Sequence, residues 1–188
     1  MTEFQRGRRG RKTRDGQPPE PPADPIATAR ETCLRLLADR PRTRAELEKK
    51  LAAKGIDQES ADLVLGRLDA VGLIDDAAFA EQYVQSRHRY QGMAKRALMS
   101  ELRRKGVDNE VAAEAAGAVD GEAEESRARD LVRKRLRSVS TQDELTKIRR
   151  LVGMLARKGY PEGLAYRVVR EELREAGTET DLLDTTPE

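Results

Sequence analysis

The sequence predicts an all-α protein, a tandem array of three three-helix repeats that is elongated and able to curve. Three segments of the chain align without gaps around a Lys-Gly pair, and apolar residues recur at helical spacing. The composition is 37% charged and only 3% aromatic, which cannot supply one thick, aromatic-rich core. The apolar residues are therefore expected in small local clusters, with neighbouring repeats packed end to end.

Each repeat contains a pair of helices joined at a glycine. The aligned segments are residues 47–68, 98–119 and 151–172, and the shared glycines are Gly55, Gly106 and Gly159. Leucines stand eight and four positions before each glycine, and an alanine stands six positions after it. Glycine adopts positive φ without a Cβ penalty, and the lysine before each one suits the negative end of a helix. The pattern predicts that the first helix of each pair ends at this glycine.

A third helical stretch lies upstream of each pair, at residues 27–39, 76–89 and 124–137. The predicted division is a basic, Pro-rich tail, three repeats and an acidic tail, over residues 1–25, 26–74, 75–121, 122–174 and 175–188. Both tails are expected to be disordered, because Arg, Gly and Pro dominate the first, and acidic residues and Thr dominate the last.

The second repeat opens with a clear helix-start signal. Asp75 is placed to cap its first helix, and Ile74 is placed to pack on Phe79 as a hydrophobic staple. Asp57 and Asp108 are predicted to cap the helices that follow the first two repeat glycines.

The remaining junctions use other residues. After the third repeat glycine, Pro161 is predicted at the first helical position. Two Thr-x-x-Glu segments, Thr43–Glu46 and Thr141–Glu144, are predicted to be capping boxes. The helix boundaries are accordingly well marked along the chain.

No set of residues in the sequence predicts catalysis or metal binding. Cys33 and His88 are the single cysteine and histidine, so neither a cysteine cluster nor a histidine pair can form. Residues 7–13 lack the spacing of a phosphate-binding loop, and the adjacent Asp75 and Asp76 are explained by helix capping. The sequence therefore predicts a non-enzymatic protein without a cofactor or a metal.

The sequence also shows no membrane or export signal. The N-terminus is polar and basic without an apolar core, and no run of about 18 apolar residues occurs. We expect a soluble, cytoplasmic monomer.

Positive charge concentrates in two places, although the net charge is only +2. Residues 87–105 hold seven Arg or Lys against Glu101 alone, and residues 127–137 hold six against Asp130 alone. The predicted partner-binding residues in these clusters are Arg87, Arg89, Lys95, Arg96, Arg103, Arg104, Lys105, Arg133, Lys134, Arg135 and Arg137. Six acidic side chains lie between the clusters, in residues 110–125, so positive and negative bands alternate. Such banding favours a structured protein partner, with weak single- or double-stranded DNA contact left open.

Two other classes of function remain as alternatives. A helix-turn-helix DNA-binding protein needs a positive recognition helix, whereas the helices after Gly55 and Gly106 carry several acidic residues. A general adaptor built on helical repeats would display its surfaces without further chemistry.

The residues resemble the RecX regulators of the RecA recombinase, over residues 33–173. Segment 72–84, which contains Ile74, Asp75 and Phe79, is similar to the hallmark of that family. Segments 40–47 and 101–107, with Arg87 and Gly92, also resemble the family pattern.

The resemblance implies tandem three-helix repeats and a binding place in the groove of the RecA–DNA filament. It further implies inhibition of ATP hydrolysis, filament extension and strand exchange, and hence modulation of homologous recombination, DNA repair and the SOS response. No catalytic residue is implied, and the family pattern assigns no role to either tail.

Overall fold

A computed structural model describes residues 22–137 and 143–177 of the chain. Over these two ranges it consists of α-helices and one π-helical segment, without β-strands. The helices are α1 Pro25–Asp39, α2 Arg44–Ala52, α3 Gln58–Ala70, α4 Asp76–Ser86, α5 Lys95–Arg104, α6 Asn109–Gly117, α7 Gly121–Leu136, α8 Glu144–Arg157 and α9 Glu162–Glu175. The π-helical segment, Arg87–Gln91, follows α4 directly. Nearly all of both predicted tails lies outside the described residues.

The apolar side chains form three separate cores, one for each set of three helices. Leucines on α2 and α3 dominate the first core, around Cys33 of α1. Leu98 and Leu102 of α5 pack with α4 and α6 in the second core. Val132 of α7 and Leu155 of α8 pack with α9 in the third. The predicted all-α tandem array of three-helix repeats is confirmed.

Short polar side chains begin most of the helices, as the sequence predicts. The N-caps Thr43, Asp57, Asp75 and Asp108 each accept a hydrogen bond from a backbone N–H in the first turn, at 2.7 to 3.1 Å. These bonds satisfy donors that the helix itself leaves unpaired. The Thr43–Glu46 box is only half formed, because the Glu46 side chain turns away to a lysine of the second repeat.

Three details of the predicted helix starts are wrong. Pro161 is the N-cap of α9 and precedes its first helical residue. Ile74 lies in the first core and Phe79 in the second, so these side chains do not form a staple. The cap of α8 is Asp143, whose side chain accepts a bond from the Thr146 N–H at 2.9 Å. Thr141, the predicted cap, lies outside the described residues.

The helix predicted over residues 76–89 changes its winding before it ends. It is α-helical to Ser86 and π-helical from Arg87 to Gln91, and it stops at Gly92, which has φ 61°. A π-helical turn carries one more residue than an α-helical turn, and an apolar repeat read from sequence does not distinguish the two. The extra residue moves the side chains of this segment out of the register predicted for them.

Candidate partner-binding surface and the joints between repeats

The Lys-Gly turn of the second repeat docks on the first turn of α2. Thr43 donates its hydroxyl hydrogen to the Lys105 carbonyl oxygen at 2.6 Å, and the Lys105 ammonium donates to Glu46 Oε1 at 2.7 Å. A Cβ on Gly106 would lie 2.2 Å from the Cβ of Ala45. Gly106 is therefore required for its φ of 81° and for the close approach of the first repeat.

The charges at this first joint support one another. Burial alone would raise the pKa of Glu46, but the hydrogen bond and charge of Lys105, together with Arg40, lower it overall. The Lys105 ammonium also lies 5.7 Å and 5.3 Å from the ring centroids of Phe79 and Tyr83. Lys105 thus links a carboxylate of the first repeat to aromatic rings of the second.

A second polar contact strengthens the same joint. The backbone N–H of Arg44, at the start of α2, donates to Asp76 Oδ1 at 2.9 Å. Burial raises the pKa of Asp76, against the lowering effect of this bond. Asp76 therefore connects the first turn of α4 to the first turn of α2.

The Lys-Gly turn of the third repeat docks in the same way on the first turn of α5. The backbone N–H of Ala94 donates to the Lys158 carbonyl oxygen at 2.9 Å, and the Lys158 ammonium donates to the Gln91 carbonyl. A Cβ on Gly159 would lie 2.5 Å from the Cβ of Ala97 and 2.7 Å from its backbone nitrogen. The repeated Lys-Gly motif thus ends a helix and also makes the contact between neighbouring repeats.

Tyr160 completes this second joint. Its side chain is buried in the third core, and its hydroxyl donates to the Gly92 carbonyl at 3.1 Å. Burial raises the pKa of the hydroxyl, so it remains a donor at neutral pH. Ala94, although it precedes α5, is itself fully buried in the third core.

The predicted basic residues of α5 lie on the surface beside the second joint. Lys95, Arg96 and Arg103 are exposed, and their side chains have no ion-pair or hydrogen-bond partner among the described residues. They line a groove of about 500 Å³ together with Met99. Arg104 is also exposed and makes one long ion pair, of 3.5 Å, along its own helix.

The other predicted residues of the first basic cluster lie in different settings. Lys105 differs from the exposed residues of the predicted patch, because its side chain is partly buried and its ammonium is bonded within the first joint. Arg87 is half-buried, with its guanidinium carbon 5.0 Å from the Tyr83 ring centroid. Arg89 is exposed and lies 5.6 Å from the ring centroid of Tyr90.

The second basic cluster is partly neutralised within the molecule. Arg133 donates to Glu172 at 2.6 Å and to Glu175 at 3.2 Å, so its charge is bound to α9. Lys134, Arg135 and Arg137 are exposed at the end of α7. Arg133 is 49% exposed, so its place in the partner-binding surface stays a prediction, although its charge already has partners on α9.

An ion-pair network that the sequence reading missed joins α7 to α9. Glu172 is 3% exposed and lies 3.5 Å from Arg129 Nη1, beside its bond to Arg133. Arg129 also binds Glu125 at 2.7 Å and Glu171 at 2.5 Å, and these hydrogen bonds raise its pKa. The sequence held one signal for it, namely a glutamate beside valines and a leucine in the apolar stripe of α9.

The described residues contain no cluster of His, Cys, Asp and Glu side chains able to hold a metal ion. Among the same residues, no helix is both long enough and apolar enough to cross a membrane.

Three family models match this chain in tandem. They describe the first, second and third three-helix domains of RecX, and they match residues 29–68, 75–115 and 122–169. The regulatory protein RecX of Amycolatopsis mediterranei is 60% identical over 156 residues, which cover 83% of this chain and 89% of that protein. The regulatory protein RecX of Streptomyces coelicolor is 51% identical over 160 residues, covering 85% of each chain.

Two solved structures have the same fold. The crystal structure of RecX from Lactobacillus salivarius superposes with a TM-score of 0.71 at 23% identity, covering 80% of this chain and 98% of that one. A second crystal structure, of a regulatory protein RecX, also gives 0.71, at 26% identity, and covers 79% of this chain and 74% of that one. With three tandem domain matches and relatives more than half identical, the chain belongs to the RecX family of regulatory proteins.

Proposed function

We propose that this protein binds the RecA–DNA filament in the cytoplasm and restrains its ATP hydrolysis, extension and strand exchange, without catalysis of its own. Family membership supports the regulatory role. The residue-level part of the proposal depends on one observation, the exposed and unpartnered cations of α5 beside the second joint.

These cations differ from the other basic side chains because binding breaks no contact that they already make. Lys105 and Arg133 would have to leave Glu46 and Glu172 before they could pair with a partner. Arg96 and Arg103 have no such bond among the described residues. Their guanidinium groups can each make bidentate contacts to a carboxylate or a phosphate without first breaking an internal ion pair.

The neighbouring helix supports a protein partner with alternating charge. Glu110 and Glu114 are exposed on α6, which packs against α5. A uniform polyanion such as naked duplex DNA would meet these carboxylates as like charges. A RecA filament that carries DNA offers both protein surface and phosphate groups. The basic residues of α5 and the acidic residues of α6 can therefore each face groups of opposite charge.

A charge-reversal experiment tests the proposal. Arg103→Glu with Arg104→Glu should weaken inhibition of DNA-stimulated RecA ATP hydrolysis when the protein is titrated below equal stoichiometry. The matched control is Arg30→Glu with Arg35→Glu, which makes the same charge change on exposed residues of α1. The control should inhibit like the unaltered protein, and circular dichroism should show equal helix content in all three.

Two results would contradict the proposal. Full inhibition by the folded Arg103/Arg104 variant would show that these residues of α5 do not form part of the binding surface. RecA hydrolysis left unchanged by the unaltered protein, together with tight and salt-sensitive binding to free DNA, would favour a DNA-binding module instead.

A further inference from the structure

Tyr90 is a large aromatic side chain that the fold leaves outside. It is 74% exposed, the largest exposure among the large hydrophobic residues of the described part of the chain. Its hydroxyl has no hydrogen-bond partner among the described residues. The guanidinium carbon of Arg89 lies over one face of the ring, 5.6 Å from the ring centroid. Tyr90 therefore contributes little to packing, and the other face of its ring is open to a ligand.

The backbone beneath Tyr90 is held firmly by the third repeat. Arg127 Nη2 donates to the Arg89 carbonyl at 2.7 Å, and the Lys158 ammonium donates to the Gln91 carbonyl. The Tyr160 hydroxyl binds the next carbonyl, that of Gly92. Three donors of one repeat thus fix the carbonyl groups on both sides of Tyr90.

Packing against α7 also fixes the backbone of this segment. A Cβ on Gly92 would lie 2.7 Å from Leu131 Cδ1, so a larger residue would have to displace the Leu131 side chain, and the φ of 61° itself favours glycine. His88 Nδ1 donates a hydrogen bond to the Met93 carbonyl oxygen at 2.9 Å, which closes the turn. A π-helical turn is rare and is frequently found at functional sites. The contacts with the third repeat hold this turn in place, so the exposed Tyr90 ring is attached to a well-fixed backbone.

We propose that Tyr90 is a stacking platform for an unpaired base of single-stranded DNA, with Arg89 beside it to contact the phosphate. Aromatic faces bind any base because every base has a π-face, and an adjacent guanidinium adds charge attraction. A protein-anchoring tyrosine would instead be expected within an apolar patch that excludes water. The other residues of the π-helical segment are Arg87, His88, Arg89 and Gln91, all polar.

This inference deepens the proposed function, since a RecA–DNA filament contains single-stranded DNA, but its test uses no RecA. The full-length protein is titrated into fluorescently labelled oligo(dT), and binding is followed by anisotropy. Tyr90→Ala should weaken binding roughly 5- to 100-fold, the range for loss of one base–aromatic stack. Tyr90→Phe should retain binding, because the ring face remains.

Matched controls separate stacking from charge and folding. Tyr166→Ala removes an exposed tyrosine of α9, 44% exposed, and should leave oligo(dT) binding unchanged. A duplex of the same sequence should bind the Tyr90→Ala variant and the unaltered protein equally, because its bases are already stacked. An oligonucleotide without bases should bind the unaltered protein as weakly as oligo(dT) binds the Tyr90→Ala variant.

Two results would overturn the inference. They are unchanged oligo(dT) binding by Tyr90→Ala, and an equal loss of binding for oligo(dT) and duplex. Failure of the Arg103/Arg104 experiment would leave these measurements unaffected, because they contain no RecA.

Discussion

The charge of Lys105 is paired inside the molecule, where this side chain joins two repeats. Its carbonyl accepts a bond from Thr43, its ammonium binds Glu46, and the same ammonium faces the rings of Phe79 and Tyr83. Its side chain is 25% exposed, so the ion pair is screened less than a pair at the open surface. A positive residue in a basic run can therefore be a structural element of the fold.

Replacement of Lys105 by Met tests this role. The substitution keeps most of the length of the side chain but removes the ammonium donor, and it should lower the free energy of unfolding by about 0.5–1.5 kcal/mol. The matched control is Lys54→Met, because Lys54 precedes the first repeat glycine but is exposed and unpartnered among the described residues. Urea denaturation measures the stability of both variants, and equal effects of the two substitutions would contradict the stabilising role of Lys105 at the first joint.

The carboxylate at the same joint predicts a dependence of stability on pH. Because the pKa of Glu46 is lowered in the folded state, the folded protein binds fewer protons there than the unfolded chain. The contribution of Glu46 should be complete above about pH 4.3, the usual pKa of glutamate, and should be lost as the pH falls through the lowered pKa.

The comparison with Glu46→Gln isolates this effect. The stability difference between the two proteins should be constant at neutral pH and should shrink in acid. Asp76 has a raised pKa and an opposite pH dependence, but it is present in both proteins and cancels from the difference. A difference that stays constant from pH 7 to pH 3 would show that Glu46 is not stabilised by its cationic neighbours.

Single residues were predicted well where their role is local. Asp57, Asp75 and Asp108 act on backbone groups within the same turn, and the spacing along the chain specifies that geometry. The internal ion pairs of Lys105 and Arg133 were not predicted, because their partners lie 59 and 39 residues away, respectively. No pattern local to either residue distinguishes an exposed cation from one paired across the fold.

At the scale of elements, the repeat glycines act on both of the helices that they touch. The turn at Gly106 ends α5 with a bond from the Val107 N–H to the Leu102 carbonyl at 3.1 Å. The same glycine leaves room for Ala45 of α2. One position thus ends a helix and sets the distance of closest approach to the preceding repeat.

Substitution by alanine separates these two roles. Gly72→Ala is the reference, because Gly72 has φ 69° and an added Cβ would meet nothing within 4 Å. That variant should lose about 1–2 kcal/mol of stability through backbone strain alone. Gly106→Ala has the same strain and a collision with Ala45, and should lose about 1–3 kcal/mol more. Equal losses, measured by thermal and urea denaturation, would show that the close approach relaxes freely.

The helices themselves follow from periodicity and caps, but the winding at residues 87–91 does not. An apolar repeat in the sequence does not distinguish the α-helical form from the π-helical form. The π-helical form here is maintained by bonds from Arg127 and Tyr160 of the third repeat and by the fit of Gly92 on Leu131. These contacts depend on tertiary structure, which is why the sequence alone predicted one continuous helix.

At the scale of the whole molecule, three small cores are connected through polar joints. The repeat pattern predicts the three units, because each needs its own apolar stripe, but it does not predict the docking of one unit's Lys-Gly turn on the previous unit. That docking decides how α5, with Arg96 and Arg103, is placed relative to α7 and the third repeat. A change at a joint should therefore alter function without altering any surface charge.

Gly159→Ala provides the corresponding test at the second joint. An added Cβ would lie 2.7 Å from the backbone nitrogen of Ala97, so side-chain movement cannot relieve the collision and the repeats must separate. Spin labels at Glu114 and Arg149, both exposed, report the distance between the second and third repeats. Cys33 can stay in place, because it is buried and burial raises the pKa of its thiol, which slows its reaction with the label.

The distance distribution between the labels should broaden in Gly159→Ala, and inhibition of RecA by the unlabelled Gly159→Ala protein should weaken although that substitution removes no basic residue. Gly121→Ala is the control near the same junction, since an added Cβ there meets nothing within 4 Å and should change neither quantity. A broadened distribution with full inhibition would mean that the partner itself sets the angle between the repeats. An unchanged distribution would mean that the third repeat stays docked through Tyr160 and Lys158 alone.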